Sequence, residues 1–461
     1  MTDSEHLINL TKEYSLFKKE TGSFITSLEK KITELQERLL KYENPKNSTN
    51  SSVPPSQDPN RLTRSTRKKT DKKLGGQKGH KGSKLNSVAN PDEVIFHDVT
   101  QCECCNASLP ENGEIKSRQI FDIPKIKIKV TEHRIVIKKC TSCGKQNKSE
   151  FPEGLVQEAQ YGNEIKSLGV YLQNYQMIPY ARCVELLFDL TGHRISAGSL
   201  ANFQVKMYEQ LSYFEDEIKR LLLLSQSMHA DETGMKVNIV NGWMHVACNK
   251  LLSYFGFHLK RGQHAIDDMN IIPLYNGTLV HDRFSSYFKY QCEHSLCNAH
   301  ILRELLYLQE IKNLKWAEDI SNLLTTTYHK QKEGAIFTQE NYQSILNKWE
   351  KLIAPTINSY DEKFKKTKEE KLAFALEKHK HLFLKFIIEE HVPFDNNQAE
   401  RDLRMIKVKQ KISGCFKEQA YAAYFARIRS YISTLKKNDQ DILANIQFAM
   451  NIKNFFPDLA E

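Results

Sequence analysis

The chain has 461 residues, 40% of them hydrophobic, and its 66 lysines and arginines exceed its 56 aspartates and glutamates to give a net charge of +10. This length predicts about two to four folded units. No apolar run reaches the roughly 18 residues of a membrane span, and the N-terminus lacks a signal-peptide core, so we expect a cytoplasmic protein with no membrane partner. The basic charge is compatible with a polyanionic partner such as nucleic acid.

The first predicted element is a helix over residues 15–43. Its apolar residues recur at alternating spacings of three and four, at Ile25, Leu28, Ile32, Leu35, Leu39 and Tyr42. This spacing is the a/d seam of a coiled coil, with Glu and Lys around it. Because the seam is shorter than about three heptads, a helix packed on its own protein remains an equal alternative.

Residues 44–86 are predicted to be a disordered linker followed by a basic arm. The linker is rich in Asn, Ser and Pro and cannot bury enough apolar surface to fold. Between Arg61 and Lys84 the arm has ten Lys or Arg and one acid, Asp71. Such a block contacts a nucleic acid backbone or remains a solvated tail. The DNA-binding candidates in the arm are Arg67, Lys68, Lys69, Lys72 and Lys73.

Residues 95–150 contain two CxxC knuckles separated by 34 residues. Each knuckle presents two thiolates on one tight turn, and two knuckles make the four-sulfur tetrahedral site that zinc prefers. We therefore predict a zinc ribbon in which the structural Zn²⁺ is bound by Cys102, Cys105, Cys140 and Cys143. The alternating apolar residues between the knuckles predict strands.

Residues 155–225 are predicted to be helical. One apolar helix ends near Gly192 and a second begins after Ser196, with a short glycine-containing turn between them. This pattern is typical of a helix-turn-helix that contacts DNA, and equally of an ordinary helical hairpin.

From Ser227 the apolar period changes to two, which predicts successive strands with a hairpin turn at Asn241-Gly242. The apolar run Gly277–Asp282 predicts a short buried strand. A charged, helical insertion is predicted over about 313–390, within a unit spanning 227–418, and a helical tail over 419–461. The fold class is therefore multidomain α+β.

Two carboxylates lie where strands of this unit are predicted to converge. Asp231 is within the first strand and Asp282 ends the short buried strand. Acids at the ends of adjacent parallel strands share one crevice and repel each other unless a divalent cation lies between them. The sequence therefore predicts a metal site here.

A third acid, Glu400, lies on a later helix that is predicted to begin at Asp395 or Asn396. Ala399, Leu403 and Ile406 form the apolar face of this helix, and Glu400 heads a neighbouring stripe that continues with Arg404, Lys407 and Lys411. An i,i+4 salt bridge from Glu400 to Arg404 is the alternative explanation. Three such carboxylates suit two Mg²⁺ or Mn²⁺ ions about 4 Å apart, an arrangement used for phosphodiester chemistry.

Several motifs together resemble the transposases of the IS66 insertion-sequence family. They are, in order, "KNSTNSSVPPS", "GGQKGHKG", the paired CxxC knuckles, "HADETGMKV", "CNAHILREL" and "DNNQAERDLRMIKVKQKISGCF". The resemblance implies an RNase H-like α/β catalytic domain with a helical insertion and a DDE triad, which maps onto Asp231, Asp282 and Glu400. The pair Cys297-x2-His300 is similar to the C/D-x2-H signature of several DDE transposases, which implies an auxiliary role. A zinc site formed by Cys292, His294, Cys297 and His300 is the alternative.

The resemblance implies a nucleoid-associated DNA transposase that binds terminal inverted repeats and catalyses strand cleavage and strand transfer. Its partners would be double-stranded DNA of the element ends and the target, further copies of the chain in a homodimer or larger assembly, and accessory proteins encoded by the element. Arg401, Arg404, Lys407 and Lys411 are DNA-contact candidates on the Glu400 helix. Two alternatives remain: a sequence-specific DNA-binding protein with a non-catalytic scaffold, and a structure-specific DNA nuclease.

Overall fold

The structure is a computed structural model that describes residues 84–459 and, before them, the helical residues 17, 18, 21, 22, 25, 28, 31, 32, 35 and 39. The predicted arm residues Arg67, Lys68, Lys69, Lys72 and Lys73 lie outside the described residues. Within the described part of the chain, no helix combines the length and the apolar character that crossing a membrane requires.

The N-terminal seam is helical and exposed. Ile25, Leu28, Ile32, Leu35 and Leu39 are all helical, and between 44% and 59% of each side chain's surface is accessible. Packing against other described residues would have buried this row of side chains. Among the described residues, none covers this row of side chains.

The cysteine region has far less sheet than its sequence pattern predicts. Its regular structure among the described residues is one antiparallel pair, β1 (Ile137–Lys139) with β2 (Gln146–Lys148). The strands predicted from the alternating residues between the knuckles are otherwise wrong: Ile120, Ile123 and Val130 are each at least 80% exposed. An alternating segment becomes a strand only when another strand pairs with it and covers its apolar face.

A helical region precedes the main sheet. Its elements are α1 (Asn163–Val170), a π-helical turn (Tyr171–Tyr175), α2 (Tyr180–Thr191), α3 (Ala197–Gln210) and α4 (Ser212–Leu223). Gly192 ends α2 in the left-handed conformation, with φ of 72°. The Ser196 hydroxyl begins α3 by accepting the Ser199 N–H at 2.9 Å. The predicted boundaries of this helix pair are thus confirmed.

The main sheet has five strands in the order β5-β4-β3-β6-β7. The strands are β3 (Ser227–Val237), β4 (Val240–Cys248), β5 (Ser253–His258), β6 (Thr278–His281) and β7 (Glu293–Leu296). β3, β4 and β5 form an antiparallel meander, whereas β6 and β7 run parallel to β3. The predicted change to a strand period at Ser227 is confirmed.

The predicted hairpin turn is wrong by three residues. Val237 pairs with Val240, so the turn is Asn238-Ile239, and Asn238 adopts a positive φ of 53°. Gly242 instead lies within β4, where a Cβ atom would come within 2.6 Å of the Phe257 ring. The glycine is needed there for close packing rather than for a turn.

The remaining helices are α5 (Gln263–Met269), which lies between β5 and β6, an insertion and a C-terminal group. They are α5 (Gln263–Met269), α6 (Asn298–Lys312), α7 (Lys315–Lys332), α8 (Gln339–Asn358), α9 (Lys368–Lys378), α10 (Lys380–Leu384), α11 (Asn397–Ser413), α12 (Gln419–Lys437) and α13 (Ile442–Asn451). Helices α6 to α10 enclose a core of their own around Trp349. A separate core lets this helical insertion fold beside the sheet without extending it.

The two faces of the sheet are covered by different helices. Met228 and Ala230 of β3 belong to a core that is lined by the helices preceding the sheet. Met235 and Val237 pack instead against α11. Ala399, Leu403 and Ile406 are the buried residues of α11, which confirms its predicted apolar face.

Helix α12, predicted to belong to a tail, packs along the edge strand β5. The hydroxyls of Ser430 and Thr434 accept the N–H groups of Phe255 and Ser253, at 2.8 and 3.1 Å. These bonds satisfy backbone groups that an uncovered edge strand would leave unpaired.

Candidate active site

The strand register brings Asp231 and Asp282 together. β3 and β6 are parallel, with His229 opposite Val280. Continuing that register by two residues places Asp231 beside Asp282, which directly follows the last residue of β6. This register puts the two residues side by side at the end of β6, and the Asp282 carboxylate contributes to the raised pKa of Asp231.

Asp231 and Glu232 are consecutive, so their side chains point to opposite faces of the sheet. Asp231 shares its face with Met235 and thus with α11, whereas Glu232 shares the opposite face with Ala230. Two adjacent acids in one strand therefore belong to two different environments.

Asn396 fixes the start of α11, the helix that carries Glu400, against β3. The Asn396 side chain donates from Nδ2 to the Ala230 carbonyl at 2.9 Å, and its Oδ1 lies 2.9 Å from His229 Nδ1. These bonds attach the helix start to His229 and Ala230 of β3, and Ala230 directly precedes Asp231 in the chain. Asn396 is only 1% exposed. The sequence predicts it only as a helix cap, because its bonding partners lie far away in the chain.

The pKa values of both aspartates are raised. Burial, then the neighbouring carboxylates of Glu232, Asp282 and Glu400, raise the pKa of Asp231 well above its usual range. Burial also raises the pKa of Asp282, which the Phe284 N–H opposes by donating to Oδ1 at 2.8 Å. Buried carboxylates under such repulsion are stabilised by a divalent cation. The all-oxygen donor set fits Mg²⁺ or Mn²⁺.

The Glu400 carboxylate is bound from the side of α6. Its Oε1 lies 3.2 Å from Arg303 Nη2 and 3.8 Å from His300 Nδ1. The alternative of a salt bridge from Glu400 to Arg404 is wrong, since Arg303 of α6 pairs with Glu400 instead. Ligand atoms of Asp231, Asp282 and Glu400 do not all lie within 4.8 Å of one another. Such a spread excludes one cation held by all three side chains as they stand, and it is compatible with two cations.

Glu232 organises the opposite side of the same strand, a role that the sequence does not predict. It accepts hydrogen bonds from Tyr287 Oη at 2.6 Å and Arg261 Nε at 2.8 Å. The Arg261 guanidinium lies over the rings of Trp243 and Phe284, at 5.0 and 4.3 Å. Glu232 thereby holds the loop that follows Asp282. The sequence signal was an acid within a strand, where acids are depleted.

The Cys297-x2-His300 motif connects α6 to the start of α11. Asn396 N donates to Cys297 Sγ at 3.1 Å. Burial raises the pKa of the Cys297 thiol to about 12 and lowers the pKa of His300 to about 4. The alternative zinc set is wrong: Cys292 lies in the main core, and His294 Nδ1 lies 3.0 Å from His281 Nε2.

The cationic stripe of α11 is only partly available to a ligand. Arg401, Arg404 and Lys411 are exposed. Lys407 is half-buried and donates to the Gly234 carbonyl at 2.5 Å, and burial lowers its pKa. Three of the four DNA-contact candidates on α11 therefore face solvent.

The two cysteine knuckles are formed but are not joined. Each first cysteine lies beside its partner, and backbone N–H groups lower its pKa: those of Cys104 and Cys105 for Cys102, and those of Cys143 and Ser142 for Cys140. Stabilised thiolates suit zinc. No three of the four sulfur atoms lie within 4.8 Å of one another in the described part of the chain.

Comparison with known families gives three matches. A model described as "Transposase IS66 family" matches residues 158–424, and one described as "zinc-finger binding domain of transposase IS66" matches residues 100–144. A third, described as a family of unknown function (DUF6444), matches residues 10–86. A search of curated proteins finds no match. The first match spans more than half of the chain and contains all three acids, and the second contains both knuckles and supports a structural zinc ion.

Proposed function

The chain belongs to the IS66 family of transposases, and on that premise we propose that it cleaves and joins DNA with Asp231, Asp282 and Glu400 as its catalytic carboxylates. The strand register that sets Asp231 beside Asp282 carries this proposal, together with the Asn396 bonds that bring the Glu400 helix to the same strand. Three antiparallel strands followed by two parallel ones, with a later helix over one face, support an RNase H-like catalytic domain.

The acids would hold Mg²⁺ or Mn²⁺, which when bound supplies Lewis acidity and promotes deprotonation of the attacking oxygen. Asp231 and Asp282 offer hard oxygen ligands in a buried crevice, and Glu400 offers the third. Arg303 neutralises the Glu400 carboxylate in the cation-free protein. Glu232, through Tyr287 and Arg261, restrains the loop beyond Asp282 and so positions that carboxylate.

The proposed reaction has two steps. In the first, a water oxygen bonds to phosphorus at the element end, and the bond from phosphorus to the element's 3′ oxygen breaks, which liberates a 3′-hydroxyl. In the second, that hydroxyl attacks a target phosphodiester, and a target 3′ oxygen leaves. Neither step needs a protein nucleophile, so the role of the carboxylates would be to hold the divalent cations rather than to attack phosphorus.

Double-stranded DNA would be bound by surfaces on several units. Helix α3 begins with the exposed small residues Ala197 and Gly198, and it presents Asn202 and Lys206 to solvent. Small and polar residues at the start of a second helix suit close approach to a groove. Arg401, Arg404 and Lys411 add cations on α11. The basic arm and the zinc ribbon at 95–150 complete the proposed DNA-binding surface.

A cleavage assay tests the proposal. Full-length protein is incubated with Mg²⁺ and duplex DNA that carries the terminal inverted repeats of the element. We expect cleavage at the repeat ends by the wild type, and none by Asp231→Asn, Asp282→Asn or Glu400→Gln, each of which still binds the DNA.

The same assay separates the alternatives. Cleavage that ignores the repeat sequence would indicate a structure-specific nuclease. Repeat-specific binding without any cleavage by the wild type would indicate a non-catalytic scaffold.

A further inference from the structure

Cys297, His300 and Glu400 form a compact cluster where two helices begin. Cys297 precedes α6, His300 lies in the first turn of α6, and Glu400 lies in the first turn of α11. Each residue offers one metal-ligating atom, and these atoms all lie within 4.8 Å of one another. Among the described residues, no other group of three Cys, His, Asp or Glu side chains meets this distance.

Backbone and amide hydrogen bonds fix the two helix starts together. Asn396 N donates to Cys297 Sγ at 3.1 Å. The backbone N and the Nδ2 of Asn298 both donate to the Phe394 carbonyl, at 3.2 and 3.1 Å. The cluster is therefore held in place by the protein itself, which lowers the cost of organising ligands around a cation.

His300 provides an independent sign of a ligand. Its Nδ1 atom is buried and makes no hydrogen bond with any described residue, although it lies 3.8 Å from Glu400 Oε1. A buried polar atom without a partner requires an explanation such as an ion or a water molecule. Cys297, at 2% exposure, stands beside it.

We propose that Cys297, His300 and Glu400 form a second metal site, selective for a thiophilic divalent cation such as Zn²⁺. Sulfur, imidazole nitrogen and carboxylate oxygen are the donors of three-ligand zinc sites, in which water is the fourth ligand. Mg²⁺ prefers oxygen ligands alone and would stay with the aspartates. Arg303 lies 3.2 Å from Glu400 Oε1 and competes with a cation for this carboxylate.

Occupation of this site has a consequence for catalysis, which rests on the proposed function. Glu400 belongs to both sets of ligands, and its carboxylate bound beside Cys297 is drawn toward α6 and away from Asp231 and Asp282. Zn²⁺ is therefore an inhibitor that acts by removing the third catalytic carboxylate.

Zinc content tests the site without reference to activity. Full-length wild type, Cys297→Ala and His300→Gln are dialysed against the same buffered free Zn²⁺, and the metal in each chain is measured. We expect each variant to hold one zinc ion fewer than the wild type, with affinity for that ion at least about tenfold weaker. Cys292→Ala, which removes a buried cysteine outside the cluster, should match the wild type. Equal zinc content in all four proteins would overturn the site.

Cleavage with and without Zn²⁺ tests the consequence. At fixed Mg²⁺, Zn²⁺ should slow DNA cleavage by the wild type and by Cys292→Ala. In Cys297→Ala, the factor by which Zn²⁺ lowers the cleavage rate should be at least about tenfold smaller than in the wild type. A missing zinc ion in Cys297→Ala with the same inhibition as the wild type would refute the sharing of Glu400. If Cys297→Ala lacks a zinc ion but the wild type never cleaves repeat DNA, the zinc site is supported and the proposed function is not.

Discussion

Asp231 and Glu232 show how neighbouring residues of the same type acquire different roles. Glu232 is paired with Arg261 and bonded to Tyr287. The ion pairs among the described residues do not include Asp231, whose Oδ1 accepts only the N–H of Glu232, at 2.8 Å. A buried carboxylate without a cation is costly to the folded protein. Asp231 therefore lowers the stability of the cation-free state in exchange for a site that attracts cations.

Replacing Asp231 with Asn should stabilise the protein in Mg²⁺-free buffer. Burial and nearby carboxylates raise the pKa of Asp231 in the folded state, so the wild type loses stability as pH rises above the pKa of the unfolded chain. At pH 7 the variant should be more stable by about 1–2 kcal/mol, and the difference should vanish at acid pH, where Asp231 is protonated. Thermal unfolding measures this difference.

The exposed Asp216 on α4 supplies the matched control. Asp216→Asn should change stability little at any pH. Mg²⁺ should raise the melting temperature of the wild type more than that of Asp231→Asn. An Asp231→Asn protein that is less stable than the wild type at pH 7 would refute the unpaired charge.

Helix α11 illustrates how one element serves two purposes at once. Its first turn carries Glu400, whose charge contributes to the raised pKa of Asp231, and its buried face packs on β3 and β4. Farther along, Lys409 points inward, where its Nζ lies 3.5 Å from the Gln173 carbonyl of the π-helical turn. Burial lowers the pKa of Lys409 to about 8. Helix α11 is therefore joined to the π-helical turn through a half-buried lysine.

Stability should rise with pH because of Lys409. The folded protein releases this proton near pH 8, whereas the unfolded chain holds it until about pH 10.4. Because the unfolded state binds more protons in this window, the free energy of unfolding increases from pH 8 to pH 10, by about 2 kcal/mol. Lys409→Met should be more stable than the wild type at pH 7 and should lose this increase. Denaturant unfolding at several pH values tests the difference.

Lys411→Met, on the exposed side of the same helix, is the control and should retain the wild-type pH dependence. A Lys409→Met protein whose stability has the same pH dependence as that of the wild type would show that burial does not lower the pKa of Lys409.

Local patterns predict elements well where the cause is local. The cap at Ser196, the glycine end of α2 and the apolar face of α11 all follow from spacing. Gly242 misled the turn prediction because its cause is the Phe257 ring on another strand. For the same reason, the sequence cannot reveal that Arg303 binds Glu400 or that Arg261 binds Glu232, since each pair is formed only by the fold.

At the scale of the whole molecule, the N-terminal helical residues leave an apolar seam exposed. Ile25, Leu28, Ile32, Leu35 and Leu39 form one heptad stripe that no other described residue covers. Such a stripe is self-complementary, so a second copy of the chain is its simplest partner. A transposase must bring two element ends together, and a dimer would meet this need.

Charged substitutions in the seam should dissociate the assembly. The double variant Leu28→Glu and Leu35→Glu places like charges where two copies meet, so light scattering should give a lower mass than for the wild type. Lys31→Glu, an exposed position of the same helix, is the control and should leave the mass unchanged. A wild-type monomer at all concentrations would contradict the coiled-coil interpretation.

We propose that Asp231, Asp282 and Glu400 bind divalent cations directly, and a change of ligand at one of these positions tests this. Asp282→Cys replaces a hard oxygen ligand with a thiolate, which Mn²⁺ accepts better than Mg²⁺ does. The measurement is cleavage of terminal-repeat DNA by wild type and variant, each with Mg²⁺ and with Mn²⁺. We predict that Asp282→Cys is inactive in Mg²⁺ and regains cleavage in Mn²⁺, whereas Asp282→Ala is inactive in both. Equal activity of Asp282→Cys in the two metals, at the wild-type level, would contradict the claim.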